Sequence, residues 1–219
     1  MQDRPALLPD ALGGPLPSGR HSLTRDAVLA SQRGRLLDAM AEAVAEHGYG
    51  STTIAHVVSR AGVSRKTFYE HFADKQDCFL AMYDIGIAFV LGRIVEELDD
   101  DLDVRERLVV GLRTFLTVLS EEPAFCRSIV LEVQVAGPPG LARRRAVLAA
   151  FSDRYVEVNR QARAEDPTLV PLSDEVALGI VGAILELVST RVEDGRIAEL
   201  PELAAPLTEF VVRNVLARR

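Results

Sequence analysis

The residues with the clearest chemical use lie in the run 52–72, TTIAHVVSRAGVSRKTFYEHF. Arg65 and Lys66 bring cations, Thr67 a hydroxyl, and Tyr69 and His71 rings with polar edges. Phe68 and Phe72, four residues apart, share one stripe of a helix and can anchor it. Arg65, Thr67, Tyr69 and His71 then project around the other faces. A short helix with Arg and Lys is often only a solvated face, but such a face has little use for Tyr and Thr among its cations. Ahead of it, Ala61, Gly62, Val63 and Ser64 carry turn chemistry. Gly62 can adopt the left-handed conformation, Val63 can plug the angle between two helices, and the Ser64 hydroxyl can cap the next one. In such a helix-turn-helix the second helix enters a major groove and turns its first residues to base edges, here Arg65, Lys66 and Tyr69.

These residues need a frame, and the hydrophobic spacing predicts one that is all-α, with about nine helices and no alternation of period two. A first helix runs from Ala27 or Gln32 to His47, with Leu36, Leu37, Met40, Ala41 and Val44 inward and Gly48 as its stop. A second covers about 53–60 with Thr52 as N-cap, and a third runs from Ser64 to near Phe72. A fourth starts around Asp74 and Lys75 and carries Phe79, Met82, Gly86, Phe89, Val90 and Ile94. Further helices are expected at about 104–120, 123–135, 139–164, 173–192 and 202–217, separated by Pro, Gly and acidic breaks. The expected organisation is a flexible arm at 1–24, a helix-turn-helix head at 25–73 and a helical body at 74–219.

The chain has 219 residues, 48% of them hydrophobic and 5% aromatic, enough for a core of packed Ala, Leu and Val without staples. Cys78 and Cys126 fall within helical patterns, which suits small core residues in a reducing compartment. The N-terminus lacks the basic start and apolar run of a secretory signal. The stretch 176–185 is too short to span a bilayer, so a soluble, cytoplasmic protein with no membrane partner is expected. The net charge of −7 looks wrong for a partner of nucleic acid until it is divided along the chain. Residues 20–75 carry eight basic and six acidic groups, whereas 76–219 carry 16 and 24. A slightly basic head on an acidic body approaches DNA head first.

Residues of about 30–80 closely resemble the tetracycline-repressor (TetR) family of bacterial transcription regulators. The likeness rests on a combination: His-Gly-Tyr at 47–49, Thr-Thr at 52–53, Ala-Gly-Val-Ser at 61–64, Thr-Phe-Tyr-Glu-His-Phe at 67–72 and Asp-Lys at 74–75. It implies a three-helix DNA-binding head, a divergent body that dimerises and binds a small-molecule effector, and a pseudo-palindromic double-stranded operator. Carried over by position, Thr53 contacts a phosphate through its hydroxyl and backbone N–H. Thr67, Tyr69, His71 and Lys75 flank the phosphate backbone, and Arg65 and Lys66 read bases. Arg65 can make the two-pronged contact with guanine O6 and N7, and Tyr69 can touch a thymine methyl group. Glu70 either accepts from cytosine N4 or faces away from the DNA. Val58 departs from the family's small Ala and suggests slightly wider helix spacing.

In the body, Val176–Val188 reads VALGIVGAILELV, apolar around nearly the whole helix. It is either a central helix of one subunit or, as the resemblance implies, part of a four-helix homodimer interface. That interface would use Gly179, Gly182, Ala183 and Glu186 with Leu207, Phe210 and Val211 of the last helix. Polar residues in apolar settings, Arg127, Glu132 and Asn159, together with Phe89, Phe115 and Phe151, are candidate effector contacts, though each also has an ordinary surface or core reading. Nothing points to a metal, a cofactor or a catalytic group. His21, His47, His56 and His71 form no ligand motif, and no phosphate loop or nucleophile elbow is present. The expected function is a ligand-responsive regulator, by family habit a repressor. The competing reading is a helical ligand- or partner-binding protein that no longer reads DNA.

Overall fold

The computed structural model describes residues 25–99 and 101–218, with side chains from residue 29 onward, so the arm expected at 1–24 lies outside the described residues. Nine α-helices follow one another: α1 (Arg25–Ser51), α2 (Ile54–Ala61), α3 (Arg65–His71), α4 (Lys75–Glu97), α5 (Val104–Glu121), α6 (Pro123–Val130), α7 (Gly137–Glu165), α8 (Asp174–Glu193) and α9 (Ala204–Val215). Two 3₁₀ turns, Glu132–Val135 and Ile197–Leu203, join α6 to α7 and α8 to α9. Among the described residues the only β pairing is an isolated bridge between Leu169 and Arg218.

Local sequence explains most of the boundaries. Asp74 accepts from the Asp77 N–H at 2.8 Å and starts α4. Asp103 and Glu106 satisfy each other's backbone donors at the start of α5. Pro123 opens α6, and Ser173 caps α8, whose first turn carries Asp174 and Glu175. Gly48 interrupts α1 where a stop is expected, as a bend followed by one more short helical stretch. Gly48 sits at φ 74°, ψ 156°, and helix resumes as far as Ser51.

The core is continuous from head to body. Leu36, Leu37, Met40 and Val44 of α1 pack against α2 on one side and against α4 and α6 on the other. The helix long and apolar enough by composition to cross a membrane is α4, not the 176–185 stretch. In this fold Cys78, Phe79, Met82, Tyr83, Gly86 and Val90 of α4 are buried in the protein core. At Gly86 an added Cβ would lie 1.8 Å from Cε2 of Phe125, so α4 and α6 touch where no side chain fits. Both cysteines are free and buried, and burial pushes the Cys126 thiol up to about 12. They are inert packing residues.

Candidate nucleic-acid interface

The turn between α2 and α3 is built by the residues that fit it. Gly62 takes φ 63°, ψ 38°, and its N–H closes α2 on the Val58 carbonyl. Ser64 then caps α3, accepting from the Thr67 N–H at 3.0 Å while its hydroxyl meets that of Thr67 at 2.9 Å. Phe68 is fully buried and Phe72 nearly so, and they hold α3 against the head. The opposite face is open: Tyr69 is 59% exposed, the Lys66 side chain 87%, and Arg65 stands in solvent beside them. Glu70 approaches Lys66 at 3.9 Å, an exposed i, i+4 pair on the same helix.

Bracing comes from α1. Arg35 donates to the Ala61 carbonyl at 2.9 Å and so supports the end of α2, and Arg33 lies over the Phe72 ring at 5.3 Å. Arg60 of α2 pairs with Glu46 and lies 3.5 Å from Glu42.

Several expected roles shift once the side chains are located. The N-cap of α2 is Thr53, not Thr52. The Thr53 hydroxyl accepts from the His56 N–H, and its own N–H donates to His56 Nδ1. Thr52 is buried and donates instead to the carbonyls of Gly48, at 2.8 Å, and Ala43. Nε2 of His71 is buried without a hydrogen-bond partner. Desolvation, reinforced by Arg33 and opposed by Glu70, holds the His71 pKa below the usual histidine value. The Lys75 ammonium is also occupied within the protein: it donates to the Tyr49 carbonyl at 2.7 Å and lies 4.3 Å over the Tyr49 ring. Burial lowers its pKa.

The body contains an apolar cavity of about 150 Å³ among α4, α5, α6, α7 and α8. Ile87, Ile94, Phe115, Val147 and Phe151 are among its walls, with Arg107, Arg144 and Arg154 as cations in the lining. Phe115 and Phe151 face each other at 6.0 Å. The other expected contacts are placed elsewhere. Phe89 packs beside the core without lining the cavity. Asn159 clamps the end of the body, donating to the carbonyls of Val170 and Val215 and accepting from the Leu172 N–H. Glu132 accepts from the Tyr49 N–H at 2.8 Å. Arg127 lies outside the lining, with Nε buried and unpartnered. Sequence reasoning missed Arg107, Arg144 and Arg154, which read as ordinary cations on amphipathic helices.

On α8, Leu178, Gly179, Gly182, Glu186 and Leu187 are exposed, with Ala183 half-buried among them, and nothing lies within 4 Å of a Cβ built on either glycine. Phe210 of α9 is exposed as well. Leu207 and Val211, expected at the same interface, are instead buried inside the protomer, because α9 turns them toward the core.

Comparison with known proteins bears on both halves. Residues 36–82 match the family described as bacterial regulatory proteins, tetR family. The HTH-type transcriptional activator FasR of Mycolicibacterium smegmatis is 26% identical over 127 residues, 58% of this chain and 58% of its own length. The chain therefore spans less than two thirds of that relative. The HTH-type transcriptional repressor Rv1474c of Mycobacterium tuberculosis is 26% identical over 196 residues, 85% of this chain and 94% of its own length. Among solved structures, the regulator FadR of Bacillus subtilis in complex with stearoyl-CoA superposes with a TM-score of 0.73 at 18% identity, over 82% of this chain and 97% of that one. The fold is shared.

Proposed function

We propose that this chain, whose residues 36–82 match the tetR family of bacterial regulatory proteins, is a dimeric, effector-controlled regulator that binds a specific duplex operator through α3. The observation that carries this reading is the two-sided build of α3. Phe68 and Phe72 fix it from below, and Arg65, Lys66 and Tyr69 stand exposed on top. Arg65 and Lys66 meet base edges, while Thr67 and Tyr69 of α3, its cap Ser64 and the α2 cap Thr53 meet the flanking phosphates. Two such heads about 34–36 Å apart occupy successive major-groove faces, which multiplies the modest selectivity of one short helix.

The second copy docks on the open face of α8 and α9. Glycine inside a helix costs roughly 1 kcal/mol relative to alanine, and Gly179 and Gly182 have no close neighbour within the protomer to justify it. A facing helix supplies the reason. Leu178, Leu187 and Phe210 give that contact its apolar area.

The effector site is the body cavity. An apolar space of about 150 Å³ lined in part by arginines suits an amphipathic molecule with an anionic end, and the fold neighbour with stearoyl-CoA suggests a long-chain acyl thioester. A cavity of this volume accommodates about one benzene-sized group. A long acyl chain enters only if the surrounding helices separate, and that requirement gives the ligand different affinities for the two arrangements. Release of a repressor from its operator is the simplest outcome.

Selection of duplexes from a random pool by the full-length protein tests the reading. A single preferred, two-fold sequence should emerge. Affinity should fall as salt rises, because Arg65 and Lys66 of both heads displace counterions, and a long-chain acyl-CoA should weaken the complex. A pool that returns unenriched sequence at any salt concentration overturns it.

A further inference from the structure

Tyr49, just past the bend of α1, is gripped on every side by residues from outside the head. Its N–H donates to Glu132 Oε2, 83 residues away, and its carbonyl accepts from the Lys75 ammonium, 26 residues away. Its ring packs on Phe79 at 4.7 Å and under Lys75 at 4.3 Å. The preceding Gly48 occupies a positive-φ conformation that L side chains rarely adopt, and its Cα faces the Glu132 carboxylate, whose oxygens lie 3.7 and 3.8 Å from a Cβ built there. Beyond the bend, the Gly48 carbonyl accepts from both the N–H and the hydroxyl of Thr52, immediately before the Thr53 cap of α2.

From these contacts we infer that the 48–52 elbow is the joint by which the body sets the angle of the DNA-reading helix, with Glu132 and Lys75 as its positioning residues. The inference rests on α3 reading DNA. Glu132 belongs to the 3₁₀ turn between α6 and α7, and that turn moves with α7, because Gly140 lies so close to it that an added Cβ would come within 2.5 Å of the Val133 carbonyl oxygen. The carbonyl of Ala136 at the end of the same turn accepts from Gln76 Nε2 of α4 at 2.7 Å. The turn thus touches α4 and the elbow together, while α7 carries Arg144, Val147 and Phe151 of the cavity wall. A shift of α7 reaches Tyr49 through Glu132, and a shift of α4 reaches it through Lys75.

The test uses the full-length protein, a duplex selected by the wild type, and three variants: Glu132→Ala, Glu132→Gln and Lys75→Met. Two readouts are independent of one another, the hydrogen-exchange rate of the Tyr49 amide by NMR and the duplex affinity across a salt series. Glu132→Ala should speed Tyr49 exchange and weaken the duplex complex by about tenfold each, while amides of α5 and α8 keep their protection. Glu132→Gln, whose amide oxygen still accepts, should restore most of both. Lys75→Met should weaken binding with the salt slope unchanged, whereas removing a lysine that sits on a phosphate in each head would take about 1.8 off the slope of the dimer, about 0.9 per head. Wild-type exchange and affinity in Glu132→Ala, no rescue by glutamine, or a reduced slope in Lys75→Met would each overturn the assignment. If Glu132→Ala does not fold, Tyr49 exchange in Glu132→Gln and Lys75→Met decides. A wild type that selects no duplex refutes the DNA reading instead, and the exchange rates still judge the joint.

Discussion

In α3 the aromatic residues are underneath and the cations on top: Phe68 and Phe72 are buried while Arg65 and Lys66 stand in water. Around the body cavity the arrangement is inverted, with Phe115 and Phe151 turned to the open space and arginines of α5 and α7 sharing the wall. The head gathers its working residues from one short run, so their spacing alone groups them. The body gathers its own from five helices, and only the packing of those helices brings them together. A site of the first kind tolerates little movement, whereas a site of the second kind is a gap that changes size whenever its walls move.

Replacing the buried anchor tests this contrast most severely. Phe68→Ala should cost about 3–5 kcal/mol in chemical denaturation and abolish duplex binding. Phe115→Ala, which removes a ring already facing empty space, should cost distinctly less; equal losses would erase the distinction between the two sites. Next in size, Arg65→Ala should forfeit about 1–3 kcal/mol of discrimination at one base position in competition binding, with fold and effector affinity intact. An identical specificity profile before and after would remove Arg65 from base reading. Thr53→Ala should destabilise by about 1 kcal/mol, because the N-terminal donors of α2 lose an acceptor. Thr52→Ser, which keeps the hydroxyl on Gly48, should cost less.

The smallest effect concerns pH. Because the His71 pKa is lowered on folding, the unfolded chain takes up this proton first as pH falls below about 6.5. The stability that His71 contributes is therefore present above that value and lost below it. Thermal melts at pH 7.5 and 5.5 should show a larger decline for the wild type than for His71→Gln. Equal declines would show that the half-buried His71 ring does not register protonation.

How far the sequence could be read follows the same division. The α2–α3 turn, the Phe68–Phe72 stripe and the all-helical frame are legible because each depends on residues three or four apart, where helix geometry fixes the neighbours. Thr52 and Thr53 are equally good caps by type, and only their depth in the structure separates them. Glu132 and Asn159 stand out in the sequence as polar residues in apolar surroundings, but their partners, Tyr49 and Val215, lie far along the chain. Leu207 and Val211 fit either side of α9 until the packing of that helix is known.

Gly86 lies midway along α4, pressed against the Phe125 ring. A helix rises about 1.5 Å per residue, so roughly 16 Å of rod extends from this point toward Lys75 and as much toward Glu97. Rocking about this contact would carry the two ends of α4 in opposite senses. Ile94 lies about 12 Å along the rod from Gly86 and Lys75 about 16 Å, so an ångström of outward travel where Ile94 borders the cavity becomes about 1.4 Å of opposite travel at Lys75. The lever reverses direction and enlarges the movement slightly.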